Sequence, residues 1–444
     1  MEINLPKGDK KLIRAWAFYD WANSVYSLVI SSAVFPVFYA ALTVIKDDKG
    51  NIVNDQVDFL GFQFNNDALI SYVTAFAFII ISLMSPFLSG IADYMGNKKS
   101  FMKFFNYLGA LGCIGLYWFS LDFLWFGLLC YLMGLIGFWG SIVFYNSYLP
   151  DIAYKNQQDQ ASSLGFSLGY IGSIILLIIC LIIIQNHETF GFSSESAPTR
   201  WSFVLTGIWW IGFSQYTYAI LPKSNKKTIE GHHYLFNGFR ELKTVYRKVK
   251  QNPYLEKFLT AFFIYSMAVQ TIMLIATYFG VEEIKWGNTD STTGLITSIL
   301  LIQLVAVAGA FLAALLSKKI GNLNVLIIIN IIWVSVCIYA YFIYTPIQFY
   351  IAAFFVGLVM GAIQSISRST YSKYIPEQEK DTTSFFSFFD VTEKIGLVIG
   401  MSFYGISAEL TGSVRYSIFF LMIFFIIGIV FLFQLRKKHH LAKK

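Results

Sequence analysis

One recurrence constrains this 444-residue chain more than any other: apolar stretches of roughly 20 residues or more, each long enough to cross a bilayer, follow one another along nearly its whole length. Twelve are predicted, over roughly 14–45, 67–92, 99–120, 122–149, 160–185, 201–221, 257–280, 292–317, 322–344, 347–369, 382–408 and 413–435. With only 13% charged residues, the chain carries about half the charge of an average soluble domain. The expected fold class is all-α and integral to a membrane, with twelve transmembrane helices.

The cations give the orientation. Of the 33 Lys and Arg, 27 fall in the termini and the alternate connections that share their side. The opposite side holds Lys46, Lys49, Arg200, Lys285 and Arg415, and Lys394 alone lies within a span. By the positive-inside rule both termini are expected in the cytoplasm and the chain in the cell inner membrane. The net charge of +7 is a topology signal, and no base-reading motif accompanies it, so no nucleic-acid partner is expected. The polar first fourteen residues precede an apolar run too long for a signal peptide, so the first span is expected to be retained.

The chain also repeats itself. Met95-Gly96-Asn97-Lys98-Lys99, with Asp93 just before it, has a counterpart in Lys318-Lys319-Ile320-Gly321-Asn322, and the two Gly-Asn pairs lie 225 residues apart. A basic turn repeated at half the chain length is the trace of a duplicated membrane transporter. Two pseudo-symmetric six-helix bundles are expected, 1–221 and 257–444, joined by a basic linker over 222–256. Within the linker, Leu235, Phe236, Phe239, Leu242, Tyr246 and Val249 recur at helical spacing, with Arg240, Lys243, Arg247, Lys248 and Lys250 on the other face. That is a basic amphipathic helix expected to lie along membrane lipids. The longest outer loop, 46–66, holds Asp47, Asp48, Asp55 and Asp58 and is expected to do no more than cap a vestibule.

Polar groups at membrane depth single out candidate sites, since a charge there costs at least ~2.5 kcal/mol. Asp20 and Asn23 fall on a similar face of the first span, and either line a pathway or close an inner gate. Tyr145 and Asn146 end the fourth span, and Gln364 and Arg368 end the tenth, at comparable depth. Arg368 is suited to clamping a carboxylate or phosphate and equally to pairing with Asp20 or Asp390 across a gate. Asp390, Glu393 and Lys394 share one face of the eleventh span. Two acids against one base suit proton coupling, whereas an Asp390–Lys394 pair alone would be structural.

Other signals point away from enzymes. Gly165-Phe166-Ser167-Leu168-Gly169 matches a hydrolase pattern but sits inside an apolar helix, where small residues four apart permit close helix contact instead. The five histidines (His187, His232, His233, His439 and His440) fall in loops or the tail, and Cys113, Cys130, Cys180 and Cys337 lack paired spacing. No catalytic residue, metal or cofactor is expected. The expected partners are a small-molecule solute, protons and membrane lipids, and the chain is expected to be a monomer.

The residues Ser89-Gly90-Ile91-Ala92-Asp93-Tyr94-Met95-Gly96-Asn97-Lys98-Lys99 resemble the signature loop between the second and third helices of the major facilitator superfamily. The leading glycine is Ser89 here, and the second copy has Lys318 where the acid would stand. The resemblance makes Asp93, Gly96, Lys98 and Lys99 a conformational element that helps hold one gating state. Tyr19-Asp20-Trp21-Ala22-Asn23-Ser24, Tyr145-Asn146, Leu149-Pro150-Asp151 and Ser367-Arg368-Ser369 resemble, more narrowly, the vacuole-effluxer branch of that superfamily, along essentially the whole chain. This resemblance implies secondary transport by alternating access, with export of amino acids or a related small polar solute. The chain departs from the branch at Ser266-Met267-Ala268, where an Asn-Asp-Gly is common, and at Glu393, where a small residue is usual. One carboxylate lost and one gained implies a displaced ion or solute site.

Overall fold

The computed structural model describes residues 5–47, 52–222, 234–287 and 290–441. Twelve long helices form the body: α1 (Lys10–Thr43), α2 (Asn66–Met95), α3 (Lys98–Gly115), α4 (Leu124–Asn146), α5 (Gln158–Gln185), α6 (Ser196–Ile220), α7 (Pro253–Glu283), α8 (Ser291–Ile320), α9 (Asn322–Phe342), α10 (Pro346–Tyr374), α11 (Thr382–Thr411) and α12 (Val414–Leu441). Among the described residues, nine helices are long and apolar enough to cross a membrane by length and composition alone. The other three, α3, α6 and α11, complete the set of twelve.

Local chemistry sets the ends. Asp9 caps α1 by accepting the amides of Lys11 and Leu12, and Asn65 does the same for α2. Asn252 caps α7, with Pro253 filling the first helical position. Thr345 and Gln348 form a capping box at α10. Gly96 ends α2 in the left-handed region at φ 61°, which a side chain would oppose. The first helix widens to a π-helix over Tyr26–Val34, just beyond Asn23.

Three edges differ from expectation. α1 begins ahead of Arg14, which therefore lies inside the helix, and α6 starts at Ser196. α12 runs to Leu441, so His439 and His440 sit on a helix and not in a tail. The loop before α2 contains two small hairpins, β1 (Ile45–Lys46) with β2 (Ile52–Asn54), and β3 (Gln56–Phe59) with β4 (Phe62–Asn65). The second turns through Leu60 and Gly61, both at positive φ, the geometry of a two-residue hairpin turn. An all-helical expectation missed these because the strands are too short to show alternation. Asp48 and Lys49 lie outside the described residues.

Buried apolar side chains form three clusters, two drawn mainly from α1–α6 and one mainly from the linker helix and α7–α12. The linker helix (Tyr234–Gln251) lies against α2, α7 and α11. Val245 and Val249 are buried, as expected, while Arg240, Lys243, Arg247 and Lys250 are exposed. Two residues depart from the expected faces. Tyr246 is 48% exposed, and Lys248 turns inward to Glu379 (2.8 Å) and Asp381 (3.0 Å). Burial alone would lower the Lys248 pKa, but the hydrogen bonds and charges of the two acids outweigh it and hold the pKa above the ordinary lysine value. The side chains of Leu235, Phe236, Phe239 and Leu242, together with His232 and His233, lie outside the described residues.

Candidate functional site

The glycines of α5 decide how closely α1 packs against it. A Cβ at Gly165 would stand 2.5 Å from Asp20 Oδ2 and 3.0 Å from Arg368 Nη2. One at Gly169 would meet Ser24 Oγ at 2.6 Å, and one at Gly172 the Trp21 carbonyl at 2.8 Å. The stripe that mimics a hydrolase motif is thus the groove into which α1 packs, as small residues at a helix contact permit.

At the head of that groove sits a buried ion pair joining the halves. Arg368 on α10 lies 3.3 Å from Asp20 on α1, and both are almost fully buried (3% and 6% exposed). Asp20 Oδ2 also accepts the Tyr145 hydroxyl at 2.8 Å. The guanidinium donates further to Asn146 Oδ1 (3.1 Å), Ser162 Oγ (2.9 Å) and the Ser162 carbonyl (2.9 Å). Its carbon stands 4.1 Å from the centre of the Phe166 ring. Saturated partners are what a charge removed from water requires, and stripping one away would strand the other. Of the two roles open to Arg368, the geometry is that of a cross-half ion pair with Asp20, not with Asp390. Ser162 is a partner that sequence reading missed, since a serine in an apolar helix carries no signal of its own.

A second group of polar side chains lies deeper. Gln364, one turn from Arg368, accepts the Tyr170 hydroxyl at 2.6 Å, and Gln270 Nε2 donates to Glu393 Oε1 at 2.6 Å. Asp390 and Lys394 pair within α11, and the ammonium stands 4.6 Å from the Trp139 ring centre. The three charges expected to act together are therefore divided: a buried ion pair, and a carboxylate whose hydrogen-bond partner is a neutral amide. Asn23 Nδ2 and Gln303 Oε1 are buried without a hydrogen-bond partner among the described residues. Asn23 makes no hydrogen bond to the Asp20–Arg368 pair; its Oδ1 accepts from Ser24.

The repeated loops complete the picture at the end of the bundle that carries the linker helix. Asp93 accepts the backbone amides of Thr383 (3.2 Å) and Ser384 (2.6 Å) at the start of α11. Lys98 donates to the Ser147 carbonyl and Thr382 Oγ1, both at 3.2 Å, and pairs with Asp151, while Lys99 donates to the Leu221 carbonyl at 2.7 Å. At the second copy of the loop, Asp159 in the first turn of α5 reaches across from the first half, accepting from Ser317 Oγ (3.0 Å) and Asn322 Nδ2 (2.8 Å) and pairing with Lys373. Asp159 and Lys373 escaped sequence reading. The available signal was an acid in a first helical turn, facing the second copy of a basic loop. Cross-half hydrogen bonds among the described residues thus crowd the linker end, and one further along joins Tyr170 and Gln364.

Comparison with known proteins places this architecture. The family described as vacuole effluxer Atg22 like matches residues 8–443. The MFS-type transporter YxiO of Bacillus subtilis (strain 168) is 31% identical over 422 residues, which is 94% of this chain and 93% of that protein. Autophagy-related protein 22 of Kluyveromyces lactis is 24% identical, across 96% of this chain and 93% of its own. Among solved structures, the Escherichia coli fucose:proton symporter superposes with a TM-score of 0.68 at 14% identity, covering 96% of this chain and 97% of that one. A proton:xylose symporter gives 0.67 at 12% identity, over 96% and 94%. A fold of twelve helices in the major facilitator arrangement, and a match over nearly the full length, establish that the chain belongs to the vacuole effluxer Atg22-like family of MFS-type transporters.

Proposed function

We propose that this chain moves a small polar organic solute out of the cell by alternating access, coupled to protons, with amino acids the first class to test. In this reading the linker end and both termini face the cytoplasm of a cell whose inner membrane holds the protein. The observation that carries it is the buried Asp20–Arg368 pair, which ties α1 to α10 with Tyr145, Asn146 and Ser162 around it. Such a lock at one end of a two-half bundle closes the path there and leaves the opposite end to open as the halves rock. Asp93, Lys98 and Lys99, on the loop turned by Gly96, brace the same closed end.

The deeper polar group is the proposed solute and coupling site. Glu393 is the better coupling carboxylate, because Asp390 is already neutralised by Lys394 while Glu393 bonds only an amide. It can gain a proton without breaking an ion pair. Gln364, Asn23 and Gln303 offer donors and acceptors within the helical body for a polar solute. The match to a family described as vacuole effluxer Atg22 like supports solute transport as the activity to test.

The test is flux in proteoliposomes, using a pool of neutral amino acids with and without an imposed pH gradient. Gradient-driven flux is expected, and Glu393→Gln should abolish its dependence on the gradient while solute counterflow persists. Gradient dependence that survives in Glu393→Gln would overturn the coupling role. Absence of flux from folded protein would remove amino acids and direct the search to lipids or other metabolites.

A further inference from the structure

A groove on the outer surface of the first six helices is not explained by transport. It is an open groove of about 380 Å³, lined by Arg14 and Phe18 of α1, Leu164 and Leu168 of α5, and Tyr216 of α6. Four of the five linings are apolar or aromatic, and Phe18 stands edge-on to Tyr216 at 5.2 Å between ring centres. Arg14 closes the groove toward the linker end. It is exposed, and among the described contacts it makes no hydrogen bond or ion pair. Lys10, also exposed, lies one turn before it on the same face.

The acids that could neutralise these cations are engaged elsewhere. Asp9 caps the amides of Lys11 and Leu12, and Asp159 is held by Ser317, Asn322 and Lys373. The result is two adjacent free cations at one end of an apolar slot that runs toward mid-membrane. We infer that this groove is a binding site for one anionic phospholipid, its phosphate on Arg14 and Lys10 and an acyl chain over Phe18, Leu164 and Leu168. A guanidinium matches phosphate oxygens through its fork, and a cation at headgroup depth favours anionic over zwitterionic lipid. The position gives the site a consequence. Leu164 and Leu168 neighbour Gly165 and Gly169, so the lipid would pack on the α1–α5 seam that holds Asp20.

The test uses the purified full chain in detergent, with phosphatidylglycerol and phosphatidylcholine titrated separately and retention read by native mass spectrometry. A photoactivatable phosphatidylglycerol, crosslinked and mapped by peptide, reports the location. Phosphatidylglycerol should bind preferentially and crosslink to peptides of α1 and α5. Arg14→Gln should weaken its binding about fivefold, with Arg14→Lys intermediate. Leu168→Trp, which fills the slot and leaves both cations, should remove the α5 crosslink, and an unchanged unfolding midpoint shows that the variant is folded. Equal retention of the two lipids, unchanged binding in Arg14→Gln, or an α5 crosslink that survives Leu168→Trp would each overturn the site.

Discussion

The two junctions that close the linker end each hold a buried carboxylate, but one draws it from the helix end that leads into the repeated loop and the other from the helix start that faces the loop. At the α2–α11 junction the acid is Asp93, in the last turn of α2, and it accepts the first amides of α11. At the α5–α8 junction it is Asp159, in the first turn of α5, and it accepts from Ser317, Asn322 and Lys373 around the repeated loop. Asp159 and Ser384 are 225 residues apart, as are Asn97 and Asn322, so equivalent positions face one another in both junctions. What the duplication has kept is negative charge at a helix N-terminus, where backbone amides and the helix dipole favour it. What it has not kept is the residue that supplies it. The missing acid in the second loop, where Lys318 stands, is answered across the seam.

The largest expected effect lies between the junctions, at the pair they flank. Arg368→Met leaves Asp20 buried without a charge partner and should lower stability by about 3–5 kcal/mol, read by denaturation in detergent, with much of the loss recovered by adding Asp20→Asn. An unchanged unfolding midpoint would show that the pair does not hold the halves. Next comes Asp159→Ala, which removes three interactions and should cost about 2–3 kcal/mol, since Lys373 can turn to water. Combining Asp159→Ser with Ser317→Asp moves the acid to the end of α8, beside the position equivalent to Asp93, and should recover about half of that loss. No recovery would mean the two junctions are not interchangeable. Asp93→Asn is milder, about 1–2 kcal/mol, because the amide oxygen still accepts one of the two backbone bonds. Smallest is Lys248→Ala, where a half-open pair with Glu379 and Asp381 should contribute no more than ~0.5 kcal/mol and vanish in high salt. A larger, salt-independent loss would make the linker helix a third junction.

Much of this was legible before the fold. Gly96-Asn97 and Gly321-Asn322 disclosed the repeat, and Asp20, Asn146 and Arg368 stood out as polar groups too costly to bury idly. The small-residue spacing of α5 marks a helix-contact stripe, and α1 packs into it. Other features left no trace. Ser162 and Asp159 act through partners on other helices, and neither residue type is unusual where it stands. The short hairpins around Val57 lack the length that reveals a strand.

The sequence by itself determined twelve helices and most of their ends, because each depends on neighbours a few residues away: hydropathy over one span, a capping side chain, a glycine at a turn. Which charges pair was decided only by tertiary structure. Asp20 and Arg368 are 348 residues apart, and Arg368 had two carboxylates within its reach in sequence terms. A buried ion pair forms where packing brings its members together and excludes water, and that packing rests on the bare Cα of Gly165, against which a single added carbon would collide with Asp20, Tyr145 and Arg368.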